Sequence, residues 1–372
     1  MGTQGRKVLH GRAVARAPGT CGELLQGFLD GEYFLVTCPV NQWSVVEIAV
    51  GSKPVGDSRL LGQFIPGSEA TVSGGRTEPG KKMEGPGRLG PSPPVRHFQC
   101  RAGAATAEQG SRGACGPAAE KTLKAVRQTL GRTTPGMISL VEVTVTLYSQ
   151  LPAGKGCGSS TADITAAALA AAALTGEVPG PDELAALAVS IEPSDGIMYP
   201  GVVAFDHLGG VLLEELGHPP PMEVIVVDPG GSVDTVAFNR REGLVDLNRA
   251  NEPVIRAAWD YISFGFATGC PESIALGATL SARVKQENFP NPVFEPALAL
   301  AKKCGALGVN VAHSGTVVGV LFDPRKVQAR EVFPYLAENL PGCRLWPTEL
   351  TGGGAVLVTL PGEGGEGVAD GE

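Results

Sequence analysis

A surplus of basic charge is the first thing this sequence lacks. Thirty Lys and Arg stand against 38 Asp and Glu, a formal net charge of −8 at pH 7. Nucleic-acid binders need surplus cations to displace counterions, so the balance argues against that class and leaves room only for a local basic patch. Aromatic residues are scarce, at 5%, and charged residues reach only 18%. No apolar run attains the roughly 18 residues that cross a bilayer. The longest, around Thr165 to Leu174, is Ala-rich and too short. The opening, Met1 to His10, has no apolar core of a secretory signal. The expectation is a cytoplasmic protein with neither membrane nor nucleic acid as partner. None of the eight cysteines forms a C-x-x-C pair and the five histidines are scattered, so a structural zinc site has no support. The cysteines read as reduced, individual thiols.

What is present is an ordinary globular composition, 43% hydrophobic over 372 residues, enough for two compact domains. The first reads as residues 8–217, the second as 222–360, with Pro-rich His218 to Pro221 between them. Val45 to Val50 is a β-branched strand. From 51 to 114 Gly, Pro, Ser and Arg dominate without periodicity, and 9 Lys and Arg face 5 Asp and Glu. That stretch reads as a poorly ordered surface insertion. Glu120 to Leu130 suits an amphipathic helix, and Val141 to Leu147 alternates as a half-buried strand. Further strands are expected at Val202 to Phe205, Val211 to Leu213, Val224 to Asp228, Gly308 to His313 and Val317 to Phe322, with a last helix and strand beyond. The Gly- and Glu-rich tail, 361–372, reads as disordered.

The chemistry concentrates where the Val141 strand runs into P-A-G-K-G-C-G-S-S-T (Pro152, Ala153, Gly154, Lys155, Gly156, Cys157, Gly158, Ser159, Ser160, Thr161) and then into a helix. Glycines let backbone N–H groups approach phosphate oxygens. A first helical turn adds unpaired donors and partial positive charge. Lys155 adds a formal charge. The Walker pattern fails because Lys155 lies upstream of Ser159 rather than beside a Ser or Thr. The dinucleotide pattern G-x-G-x-x-G fails on spacing. Taken bare, the loop is equally compatible with phosphate binding and with a tight structural turn.

The loop resembles the second motif of the GHMP kinases, usually P-x-x-x-G-L-x-S-S-A, with Cys157 at the usual Leu and Thr161 at the usual Ala. Ala17 to Gly27 (A-P-G-T-C-G-E-L-L-Q-G) resembles the family's N-terminal motif. Ala312 to Val320 (A-H-S-G-T-V-V-G-V) resembles its C-terminal one, with fewer glycines. Within the family, C-G-E-L-x-Q-G, the following C-P-V, G-K-G-C-G-S-S-T-A-D-I, E-P-S-D and V-A-H-S-G-T-V-V-G together look like the L-threonine kinase branch of cobalamin biosynthesis.

The resemblance implies an α+β chain. Its N-terminal domain would be like the second domain of ribosomal protein S5, its C-terminal domain ferredoxin-like, with ATP and Mg²⁺ in the cleft between. It implies ATP on the loop from Pro152 to Thr161, Mg²⁺ ligated by Ser160 and Glu192, and Asp195 as the carboxylate that orients or deprotonates the acceptor, with Lys155 touching phosphate. Glu23, Gln26, Ser314 and Thr316 would contact the acceptor, an amino acid expected to be L-threonine. Homoserine or another small alcohol is the alternative acceptor. A nucleotide or metabolite sensor without turnover is the alternative of another class. Cys21 and Cys157 read as space-fillers, since no His accompanies either in a motif.

Overall fold

The computed structural model describes residues 11–51, 58–65, 95–102, 116–133, 143–231 and 244–359. Its frame is a long antiparallel hairpin of β1 (Gly11–Leu29) and β2 (Glu32–Val50). Two residues connect them, and both have positive φ, Asp30 at 52° and Gly31 at 95°. That backbone matches the right-handed twist of the strands, which is why Asp-Gly closes hairpins of this length. The pairing slips between Pro18 and Gly19, between Thr20 and Glu23, and again before Leu25. Each slip bends the strand, so the stretch that resembled a family motif leaves the regular ladder.

Around the hairpin stand β3 (Arg96–Ala102), β4 (Val143–Ser149), β5 (Val202–Asp206), β6 (Val211–Gly217), β7 (Glu223–Asp228), β8 (Gly308–Val311), β9 (Val318–Phe322), β10 (Arg344–Glu349) and β11 (Val356–Val358). The sheet runs β10-β7-β9-β8-β1-β2-β4-β3, with β11 on β1 and the β5–β6 pair on β2. Strands from before and after residue 220 therefore share one sheet, joined where Glu23 of β1 pairs with Val311 of β8. The last strand, β11, crosses back to Val14–Arg16 of β1. β10 was not expected, because Pro347 sits inside it. It is tolerated there because β10 is the sheet's edge.

Three helices cover the first half of the sheet: α1 (Pro117–Thr133), α2 (Ser159–Ala173) and α3 (Pro181–Ile191). α2 is buried almost all round, which its Ala-rich sequence permits: small side chains let the helix lie close to β1 and β2 with no polar face left over. α4 (Leu244–Thr268) and α5 (Pro271–Asn288) pack on the middle, through Ile255, Ile262, Ile274 and Ala278 against Leu24, Phe34 and Val36. α6 (Phe294–Lys303) and α7 (Ala329–Asn339) close the far end over β7, β8 and β9. No described helix is long and apolar enough to cross a membrane.

Two findings correct the reading of the sequence. The stretch from 51 to 114 holds a 3₁₀ turn (Ser58–Phe64) and β3, which pairs with β4 over seven residues. Gly- and Pro-rich flanks hid a strand whose stability comes from its partner rather than from its own pattern. Cys100, in β3, is disulfide-bonded, whereas six other cysteines are free. Cys115 and the 361–372 tail lie outside the described residues.

β3 also delivers Arg96, whose guanidinium reaches Asp163 in α2 at 2.7 and 3.0 Å, Ser149 Oγ at 2.8 Å and the Leu151 carbonyl at 2.5 Å. Asp163 is 1% exposed and also accepts from Ser44 Oγ. Burial pushes its carboxyl up, and the Arg96 charge opposes that. Removing one partner of such a pair strands a buried charge, at about 3–5 kcal/mol. Arg96→Ala is therefore expected to lower stability by about 3 kcal/mol in urea denaturation. Arg256→Ala, which breaks an exposed pair with Asp30, should shift it by under about 1 kcal/mol.

Candidate active site

The loop between β4 and α2 is where the three motifs meet. Its carbonyls are taken up on both sides. Thr20 and Gly22 of β1 donate N–H bonds to Cys157 and Gly156, each at 3.0 Å. Thr316 and Val317 donate to Lys155 at 3.0 and 3.1 Å. By contrast, none of the N–H groups from Gly154 to Thr161 donates a hydrogen bond within the described residues. Gly156 and Gly158 hold φ of 82° and 60°. A Cβ at Gly156 would sit 2.2 Å from the Ala312 side chain, and one at Gly158 2.7 Å from Thr20. Gly158 is also the N-cap of α2, and no side chain caps the helix. The outcome is a run of free donors at a helix N-terminus, an arrangement that attracts anions.

These donors border a cleft of about 620 Å³. Ser160, Glu192, Asp195, Glu23 and Ser314 line it, together with Ala153, Thr20, Lys121, His207 and His313. Ser160 Oγ is buried without a hydrogen-bond partner. It stands in the first turn of α2, two residues beyond Gly158, the position a capping serine would take. Glu192, just past α3, is 8% exposed; its Oε2 accepts from Lys121 Nζ at 2.5 Å, and its Oε1 has no partner. Buried polar atoms left unpaired are uncommon, and two of them on one cleft call for a ligand. No group of three or more His, Cys, Asp or Glu side chains able to hold a metal occurs among the described residues. A cation seated by Ser160 and Glu192 would need further oxygens from a bound ligand.

Asp195 N–H donates to Thr161 Oγ1 at 3.2 Å, which ties the E-P-S-D turn to α2. Burial, and then the Glu192 charge, raise the Asp195 carboxyl to about 6. Glu23 is 4% exposed, with Oε2 unpaired. Its carboxyl is pushed well up by burial, with the Asp195 charge next. His207 and His313 meet edge to face with centroids 4.9 Å apart. Burial lowers His207 to about 4 and drives His313 well down.

Other expected residues are not brought to the cleft. Lys155 is not in the cleft lining, its Nζ 2.9 Å from Asp228 and 2.6 Å from the Gly231 carbonyl. Thr316 donates to the same Asp228 at 3.4 Å. Gln26 anchors the sheet, its N–H donating to Ser281 Oγ and its Nε2 to the Val311 carbonyl. Pro152 is buried below the loop. Two cations that sequence reasoning missed line the cleft: Arg96 of β3 and Lys121, from a helix 31 residues before the loop's Pro152. Lys121 shows the difficulty. Its i−4 and i+4 neighbours carry no signal of that role, since only the tertiary packing of α1 on α2 brings it there. Cys21 and Cys157 are buried. Burial raises Cys157 to about 12, so neither thiol is poised as a nucleophile.

The GHMP kinases N terminal domain matches residues 118–203, which span α1, the loop, α2, α3 and the E-P-S-D turn. The L-threonine kinase of Citrobacter freundii is 30% identical over 311 residues, covering 84% of this chain and 86% of that protein. Among solved structures, a mevalonate kinase aligns with a TM-score of 0.60 at 12% identity, over 91% of this chain and 99% of its own. A structure of MDDEF in complex with MVAPP, AMPPCP and magnesium aligns with a TM-score of 0.53 at 13% identity, over 94% and 99%. With a relative this similar along most of both chains, and the kinase fold around a loop of free N–H donors, the chain belongs to the GHMP kinases.

Proposed function

We propose that this kinase transfers the γ-phosphoryl group of ATP to the hydroxyl of L-threonine, giving O-phospho-L-threonine for the linker of the cobalamin nucleotide loop. The observation that carries the reading is the pairing of an uncapped, donor-rich α2 N-terminus with the unpaired Ser160 Oγ and Glu192 Oε1 on one cleft. The relative's activity supplies the acceptor.

Phosphoryl transfer asks the protein for positioning and charge neutralisation more than for covalent help. The loop N–H groups from Gly154 to Thr161 take the phosphates. Ser160 and Glu192 would hold Mg²⁺, a hard cation suited to hydroxyl and carboxylate oxygens, which supplies neutralisation of the nucleotide's charge. Lys121 holds Glu192 in place and adds a positive charge to the cleft wall. Asp195 accepts the hydroxyl proton as the oxygen attacks phosphorus. Glu23 binds the ammonium of the acceptor.

Offered L-threonine, L-serine and L-homoserine with ATP and Mg²⁺, the enzyme is expected to prefer L-threonine, with phosphothreonine identified by mass. One methyl is worth only about 1–3 kcal/mol in a pocket, so activity confined to homoserine would keep the kinase and discard the acceptor. Binding of ATP with no transfer to any of the three would favour a sensor. Ser160→Ala and Glu192→Gln should each lower kcat at least about tenfold with melting temperature preserved. Lys155→Met should spare kcat more than Lys121→Met does, and wild-type turnover in both Ser160→Ala and Glu192→Gln would remove the metal assignment. For Asp195, a base must be ionised, so kcat/KM is expected to fall as pH drops through about 6. Asp195→Asn should lose that limb and about 100-fold in kcat. A limb that persists in the variant would assign it to another group.

A further inference from the structure

One side chain on the cleft has no task in the transfer chemistry. His207 follows β5 in the turn to β6, is 5% exposed and lines the cleft, and its Nδ1 is buried without a hydrogen-bond partner. A histidine serving only as packing would have that nitrogen bonded, because a buried polar atom left alone is costly.

The backbone around it is held firmly. The His207 carbonyl accepts from Ser194 N–H at 3.0 Å, linking it to the turn that carries Asp195. Asp206 closes the turn by accepting from Leu208 N–H at 2.9 Å and from Gly210 N–H at 2.8 Å. The ring itself is braced edge-on by His313. An imidazole this buried is neutral near neutral pH and carries one N–H to donate.

The surroundings decide what it would donate to. Glu23, Asp195 and Glu192 put carboxylates along the same cleft. The cations on the cleft, Arg96 and Lys121, are already engaged with Asp163 and Glu192. A zwitterionic amino acid can give its ammonium to Glu23, but its own carboxylate then needs a donor that is not already committed. Lys285 lies outside the cleft lining and spends a proton on the His313 carbonyl at 2.6 Å. His207 is a rigid, buried, unpaired donor in the right company.

Resting on the L-threonine reading, we propose that His207 is a specificity-determining residue whose Nδ1–H donates to the acceptor's α-carboxylate, so that the site selects amino acids over amino alcohols. A neutral ring does this without adding a cation beside Asp195, which must stay free to take the hydroxyl proton.

The test crosses variants with acceptors. KM is measured for L-threonine and for the aminopropanol left when L-threonine loses its carboxylate, the latter by turnover or as a competitive inhibition constant. His207→Phe keeps a ring but no donor, and His207→Gln restores an N–H. The expected result for His207→Phe is an L-threonine KM raised about tenfold, the loss of one hydrogen bond to a charged group. Its kcat should stay within about threefold, with the ATP KM and the aminopropanol constant unchanged. His207→Gln should recover part of the L-threonine affinity. An unchanged L-threonine KM in His207→Phe overturns the proposal. So does an equal weakening of both acceptors, which marks a packing role. Wild-type enzyme that phosphorylates none of the three amino acids fails the parent reading instead, before any variant is made.

Discussion

Four main-chain hydrogen bonds clamp the glycine loop, and the rest of the site depends on them. Carbonyls of Lys155, Gly156 and Cys157 are consumed by N–H groups of Thr316, Val317, Gly22 and Thr20. A peptide whose carbonyl is fixed to a wall has its own orientation fixed as well. The loop's N–H groups are therefore oriented before any ligand arrives, and little reorganisation is left for binding. The clamp also explains why three distant motifs occur together: β1 supplies one jaw, the turn between β8 and β9 the other, and the loop is what they hold. Lys155 acts in this frame. Its ion pair with Asp228 ties the loop's outer side to the end of β7.

Charge is distributed unevenly along the cleft. Two acids beside α2 have a cation, Asp163 with Arg96 and Glu192 with Lys121. Glu23, where β1 meets β8, and Asp195 make no ion pair among the described residues: burial and then the Asp195 charge raise Glu23, with the Lys285 charge opposing, while burial and then the Glu192 charge raise Asp195. The paired end suits a polyanion held by N–H donors, because its acids are already neutralised. The unpaired end suits a cation supplied by the ligand, and an ammonium group meets that need. A carboxylate on the same small molecule then requires a neutral donor, the place His207 occupies.

The loop, the E-P-S-D turn and both flanking motifs were legible because backbone chemistry demands particular residues at them. Gly156 and Gly158 are needed where φ is positive and a Cβ has no room. The direction of a long side chain is not written that way. Lys155 sits in the glycine loop by sequence, yet its four-carbon stem carries the charge to Asp228. Gln26 and Thr316 likewise bond within the frame rather than into the cleft. Lys121 and Arg96 were invisible for the converse reason, since helix packing and strand pairing, not local pattern, bring them to the site. β3 and β10 were hidden by their own composition, one among glycines and prolines, the other carrying Pro347 at a sheet edge.

Glu23 and Asp195 also make the ligand-free fold carry a penalty, and its sign follows from the direction of their shifts. An acid whose folded pKa is raised contributes stability below its unfolded value, near 4, and loses that contribution as pH rises through the folded value. For Asp195 the loss is complete above about 6. At neutral pH both acids are thus held in surroundings that disfavour their charge. A cationic group binding beside them would relieve the penalty, so under the proposed function acceptor binding and fold stability are linked through the same two side chains. An amino acid fills both requirements of that end of the cleft at once. A plain alcohol would leave the two acids as it found them.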